Sequence, residues 1–125
     1  LLVRVPLFQS LEPAVLESIA AVLKPRFVLP GVKVIRKGDK GQEMFFIVSG
    51  ALEVALPSQA QRLGSGDFFG ELALLTQVPR TADVTALGFC ELLVMTASDF
   101  AELLAQDQEL ETHVAEMARV RLARG

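Results

Sequence analysis

The sequence has 125 residues, 51% of them hydrophobic, which supplies one domain with one enclosed core and excludes a disordered chain. A formal net charge of -3 and a pI near 5.1, with the charges scattered rather than blocked, exclude the concentrated basic field of a nucleic-acid-binding face. No apolar run approaches the roughly 20 residues needed to span a bilayer, so no direct membrane insertion is expected of it.

The N-terminal flank places Ser10 before an apolar-periodic stretch, with Pro13 in the first turn. Leu11, Val15, Ile19, Val22 and Leu23 are spaced for one face. The pattern predicts a capped amphipathic helix that stops at Lys24-Pro25. Glycine then changes the texture of the chain: eight of its nine glycines fall between Gly31 and Gly88. Short β-branched or aromatic segments occupy this middle, at 27–29, 33–36, 44–49, 51–56, 81–86 and 90–96. Their number and spacing predict a sandwich or a barrel-like β-roll. The links Gly38-Asp39-Lys40-Gly41, Ser49-Gly50 and Leu87-Gly88 are too short for crossover helices, so the pairing is expected to be antiparallel.

The C-terminal flank opens at Thr96, with Asp99 at capping-box spacing. A short helix is predicted over 99–106 and a second from about Asp107. In the second, Leu110, Val114, Met117 and Arg121 lie within about 60° of one another at a helical repeat, an apolar stripe that ends on a cation.

The segment that carries chemistry runs from Gly64 to Leu75 and continues through Val78-Pro79-Arg80-Thr81-Ala82. Gly70 lets the backbone approach a ligand closely. Glu71-Leu72-Ala73-Leu74 are helix formers that follow it, so their first N–H groups can cradle an anion without a basic side chain. Arg80 supplies a planar fork that suits a phosphate held by two oxygens. A carboxylate beside phosphate repels it, so Glu71 makes sense facing a sugar hydroxyl. An N–H cradle, a guanidinium and a ribose acceptor describe a nucleotide with one phosphate charge. A triphosphate site is excluded by the lack of Gly-Lys-Ser/Thr and of a carboxylate pair for magnesium.

These residues resemble the cyclic-nucleotide-binding domain family along essentially the whole chain. Phe69 to Leu75 with Pro79-Arg80-Thr81-Ala82 resembles its phosphate-binding cassette. Gly38-Asp39 to Gly41 and Met44 to Gly50 resemble its β-roll turn and the hairpin that follows. The resemblance implies a mainly β domain, an antiparallel, jelly-roll-like β-roll with an N-terminal helix and two C-terminal helices. Its parts are a helical segment at 1–26, the roll at 27–96 with the cassette at 69–82, and the B and C helices at 97–125. It also implies ligand contacts by the backbone of Gly70, Leu72 and Ala73, and a ribose 2′-hydroxyl accepted by Glu71. The equatorial phosphate falls to Arg80, with Thr81 and Ala82 beside it, and Val54 forms an apolar wall against the base. Arg121 falls where the prokaryotic channel members carry a C-helix arginine that stacks on the purine. The ligand implied is cAMP or cGMP, with no cofactor.

The expected function is regulatory and not enzymatic: no Ser/His/Asp set, carboxylate pair with a base, or metal cluster is present, so neither catalytic nor metal residues are assigned. His113 is the only histidine, and Cys90, the only cysteine, sits in an apolar strand-like run and reads as a buried inert thiol in a reducing compartment. The absence of an initiator Met and of a signal-peptide pattern leads us to expect a part of a longer protein. The Pro6 to Leu11 lead-in resembles prokaryotic cyclic-nucleotide-regulated potassium channels. A covalently attached transmembrane pore is therefore the expected effector, in a bacterial inner-membrane homotetramer with this domain in the cytoplasm. The isolated piece is compatible with a monomer. Two other readings remain open: the sensor of a catabolite-activator-like transcription regulator, and a non-binding interaction domain. Arg80→Ala is expected to cost tenfold or more in affinity with the fold intact.

Overall fold

In a computed structural model the described residues are 12–70, 80 and 82–124, without the side chains of 117, 118 and 121–124. In chain order the elements are helix α1 (Pro13–Val22), strands β1 (Lys24–Val28), β2 (Lys33–Ile35), β3 (Glu43–Ser49), β4 (Leu52–Ala55), β5 (Ala60–Leu63), β6 (Phe68–Phe69), β7 (Val84–Ala86) and β8 (Cys90–Thr96), then helices α2 (Ala97–Gln106) and α3 (Gln108–Arg124). The strands form two four-stranded sheets, ordered β1-β8-β3-β6 and β2-β7-β4-β5, and every pair is antiparallel. This is the expected β-roll with flanking helices.

Two clusters of buried side chains explain the sequence pattern of the central strands. Phe45, Ile47, Phe69, Leu92 and Val94 point between the sheets, where they meet Val28, Ile35, Leu52, Leu63, Val84 and Ala86. Met44, Phe46, Phe68, Leu93 and Met95 point the other way, against Ile19 of α1, Phe100 and Leu103 of α2, and Leu110 and Val114 of α3. β3 and β8 are therefore buried on both faces and read as continuous apolar runs, whereas a half-solvated strand would alternate. Adjacent residues serve different cores.

The terminal elements depart from expectation at their boundaries. Helix α1 begins at Pro13, with Glu12 at the N-cap and no side-chain cap hydrogen bond. The Ser10 cap and Leu11 lie outside the described residues. The helix ends at Val22, where the Leu23 N–H still bonds to the Ile19 carbonyl, and Lys24-Pro25 begin a strand instead of merely stopping the helix. Pro25 is tolerated because β1 is an edge strand, paired only with β8 among the described strands, so one side of it needs no N–H donor. Strands β5 and β6 are additional to the sequence reading: β5 is polar along Ala60-Gln61-Arg62, and β6 is only two residues long.

At the C-terminal end Thr96 caps α2 as its spacing predicts. Its hydroxyl accepts from the Asp99 N–H at 3.2 Å, while the same hydroxyl donates to Asp99 Oδ2 at 3.0 Å. Asp107 caps α3 by accepting from the Leu110 N–H at 3.0 Å. Among the described residues no helix is long and apolar enough to cross a membrane.

Candidate functional site: a buried arginine between two turns

The site is assembled where three separated sequence motifs meet. Phe68 and Phe69 of β6 lie opposite Phe46 and Phe45 of β3, with ring centroids 6.1 Å and 5.0 Å apart. This aromatic double pair delivers the chain to Gly70 at a fixed height above β3. Gly70 then turns with φ +91°, in the left-handed region that favours glycine. A Cβ there would lie 3.0 Å from Arg80 Nη1, 3.2 Å from the Glu43 carbonyl oxygen and 3.3 Å from Met44 Cα. The absent side chain is what lets the arginine in.

Arg80 is 9% exposed. Its Nη1 donates to the Gly70 carbonyl at 2.7 Å and its Nη2 donates to the Glu43 carbonyl at 2.6 Å. Its own backbone is held as firmly. The Arg80 N–H donates to the Asp39 carbonyl at 2.7 Å, and the Gly38 N–H donates to the Arg80 carbonyl at 2.9 Å. The Gly38-Asp39 turn thus holds the Arg80 backbone, while the start of β3 and the end of β6 hold its guanidinium. A charge this buried persists only where hydrogen bonds replace its water. Both carbonyl bonds fix the guanidinium plane, which is what an oriented phosphate ligand requires.

Asp83 pins the same turn from the other side. Its carboxylate accepts from the Lys37 N–H at 2.7 Å and from Lys33 Nζ at 3.1 Å. The Lys37 backbone bond, followed by the Lys33 bond, holds the Asp83 carboxyl below its usual range.

Of the residues expected to touch ligand, Gly70 and Arg80 are in direct contact. Ala82 is buried two residues after Arg80, and Val54 is half-buried on β4 opposite Gln61 and Val84, packed against the inter-sheet core. Glu71, Leu72, Ala73 and Thr81 lie outside the described residues. The α3 backbone includes position 121, but the Arg121 side chain is likewise outside them. Arg80 also has a structural part: it donates to the Gly70 and Glu43 carbonyls, so its removal is expected to cost stability as well as affinity. The role of Glu43 was not legible beforehand: it acts through its backbone carbonyl, which every residue type carries.

A cleft of about 490 Å³ reaches Arg80 from the side of β1, β2 and the start of α2. Val54, Gly70 and Ala82 do not line it. Among the described residues no group of three or more His, Cys, Asp or Glu side chains is placed to hold a metal. Cys90 is buried, and its Sγ contacts the Ala51 carbonyl at 3.4 Å.

The comparisons with known proteins bear on the family and the fold. The sequence model of the cyclic nucleotide-binding domain matches residues 25–107. A cyclic nucleotide-gated potassium channel of Rhizobium etli is 42% identical over 118 residues, 94% of this chain and 33% of the channel. A second, from Mesorhizobium japonicum, is 43% identical over 110 residues, 88% of this chain and 31% of the channel. The chain therefore spans about a third of the length of these relatives. Among solved structures, the PKAR CBD2 domain bound to Sp-2Cl-cAMPS superposes with a TM-score of 0.83 at 26% identity, covering 99% of this chain and 88% of that one. The catabolite activator protein of Thermus thermophilus gives 0.79 at 27% identity, covering 94% and 58%.

Proposed function

We propose that this chain, which belongs to the cyclic nucleotide-binding domain family, binds cAMP or cGMP through its 69–82 segment and passes the binding energy to an attached ion-channel pore. The observation that carries this reading is the buried Arg80, oriented by the Gly70 and Glu43 carbonyls at the mouth of that segment. The guanidinium takes the equatorial oxygen of the cyclic phosphate, with Thr81 and Ala82 beside it. The backbone of Gly70, Leu72 and Ala73 supplies the cradle, Glu71 accepts the ribose 2′-hydroxyl, and Val54 walls the base. Arg121 closes over the purine.

Coupling requires that the nucleotide bind closed and open states unequally, since it can shift an equilibrium only by that difference. Leu110 and Val114 hold the first turns of α3 in the helix-side core. Lid movement is therefore carried by the helix beyond Val114. Identity above 40% to two potassium channels supports a pore as the effector; a homotetrameric parent with this domain on its cytoplasmic side belongs to the same proposal. The curated relatives named above are channels, which supports a regulatory and not a catalytic role.

The test is displacement of a fluorescent cyclic nucleotide by unlabelled cAMP and cGMP, in wild type, Arg80→Lys and Glu71→Ala. Arg80→Lys keeps the charge but loses the fork, and is expected to weaken binding about tenfold or more. Unchanged affinity in a folded Arg80→Lys variant removes Arg80 from the ligand set.

A further inference from the structure

The cleft behind Arg80 has chemistry of its own. Arg26, Arg36, Lys40 and Arg80 line it, against two acids, Asp39 and Glu43. One of those acids is already engaged, because Glu43 pairs with Arg26 at 3.4 Å. Arg36 and Lys40 are exposed at the rim, and among the described residues neither makes a side-chain hydrogen bond. This concentration is local. Residues 24–40 hold six of the chain's 12 Lys and Arg and one of its 15 Asp and Glu, in a molecule whose net charge is -3. The first turn of α2 borders the cleft through Thr96, Ala97 and Ser98. Its N–H groups are partly taken, since Ala97 donates to the Gln42 carbonyl and Asp99 to the Thr96 hydroxyl. The cationic side chains therefore dominate the attraction. Val34, Ile35 and Phe45 give the cleft an apolar wall, and the Arg26 guanidinium lies 5.5 Å from the Phe45 ring centroid.

We propose that this cleft is a second anion site, taking a small phosphate-bearing polyanion between Arg36, Lys40 and the inner face of Arg80. Its volume of about 490 Å³ accommodates a diphosphate and leaves room for an attached nucleoside against Val34 and Phe45. Four cations against two acids, one of them paired with Arg26, leave this concave space net positive and raise the local concentration of anions. Because Arg80 lines this cleft and also carries the cassette, the two sites communicate. An anion in the cleft lowers the positive potential that Arg80 offers a cyclic phosphate, so each ligand weakens the other by the same factor. That coupling, unlike the cleft itself, rests on the assignment of Arg80 to the cyclic nucleotide.

The test is calorimetric titration of the nucleotide-free chain with inorganic pyrophosphate and, separately, with ADP, in wild type and in the double variant Arg36→Ala/Lys40→Ala. Saturable binding of pyrophosphate, lost in the double variant while cyclic-nucleotide affinity measured alone is unchanged, is the expected result. ADP binding more tightly than pyrophosphate assigns the apolar wall to a nucleoside, and equal affinities assign recognition to the phosphates alone. Saturating pyrophosphate is expected to weaken cAMP binding about fivefold in wild type and not at all in the double variant. No pyrophosphate binding to the folded wild type overturns the site. So does binding that survives the double substitution and is abolished by cAMP, which assigns the anion to the cassette. Failure of cAMP to bind while pyrophosphate still does would overturn the cassette reading and leave the cleft standing.

Discussion

At the scale of single residues, the fate of Arg80 separates structure from recognition. Removing its side chain strips donors from the Gly70 carbonyl at the end of β6 and the Glu43 carbonyl at the start of β3, both partly buried. Arg80→Ala is therefore expected to lower stability by about 2–4 kcal/mol, as well as lowering affinity for cyclic nucleotide. Urea denaturation read beside a binding isotherm distinguishes the two effects, and full stability in the alanine variant contradicts the geometry. Gly50 offers a cleaner steric case. Its φ is +96°, and a Cβ would lie 2.5 Å from the Phe89 carbonyl oxygen and 2.7 Å from Cys90 Sγ. Gly50→Ala is expected to cost about 2–4 kcal/mol through strain and overpacking, measured as a shift in the denaturation midpoint. Asp83 supplies a pH signature. Its folded-state pKa is lowered, so its stabilisation is full above the unfolded carboxylate value near 4 and is lost as pH falls through the lowered folded value. Asp83→Asn should be less stable than wild type at neutral pH, with the gap closing in acid. An equal gap at pH 7 and at pH 3 contradicts this.

At the scale of elements, the caps and the double-sided strands decide what the sequence could reveal. The Thr96 to Asp99 spacing identifies the start of α2 because a hydroxyl at that offset meets an orphan N–H, a local event. Thr96→Ala is expected to cost about 1 kcal/mol, read by thermal melting. Strands β3 and β8 were legible as apolar runs, but their division into two cores was not, since both faces are apolar and the period-2 signal disappears. Strand β5 was missed for the opposite reason: Gln61 and Arg62 lack strand propensity and are held by pairing to Val54 and Glu53. Strand β6 is two residues long and exists through Phe68 and Phe69 pairing with β3, a long-range event invisible locally. The end of α1 was misplaced by little, yet Pro25 proved to be a strand residue, because edge position is a property of the sheet and not of the dipeptide.

At the scale of the whole molecule, the β-roll brings the turn at Gly38-Asp39, the β3 start and the β6 end to one point, and Arg80 ties them. The motifs were visible separately in the chain. Their convergence on one arginine, and the cleft behind it, depend on how the two sheets close, which no local pattern encodes. The helix-side core extends through α1 and α2 into the first turns of α3, so α3 is rooted in the same cluster as Phe46 and Met95. Val114, fully buried, is the last described member of that root. Val114→Ala is expected to cost about 2 kcal/mol and to loosen amide protection in α3 more than in β3, measured by hydrogen exchange. Equal loosening of both elements contradicts a separately mobile lid.

The central claim is that this domain binds a single cyclic nucleotide through the segment that Arg80 closes. Its most direct test is isothermal titration of the chain, stripped of carried-over ligand by unfolding and refolding, with cAMP and separately with cGMP. Saturable one-to-one binding of at least one of them, weakened about tenfold or more in Arg80→Lys, is the predicted result. The absence of heat with either nucleotide, in protein whose circular dichroism and melting confirm the fold, contradicts it.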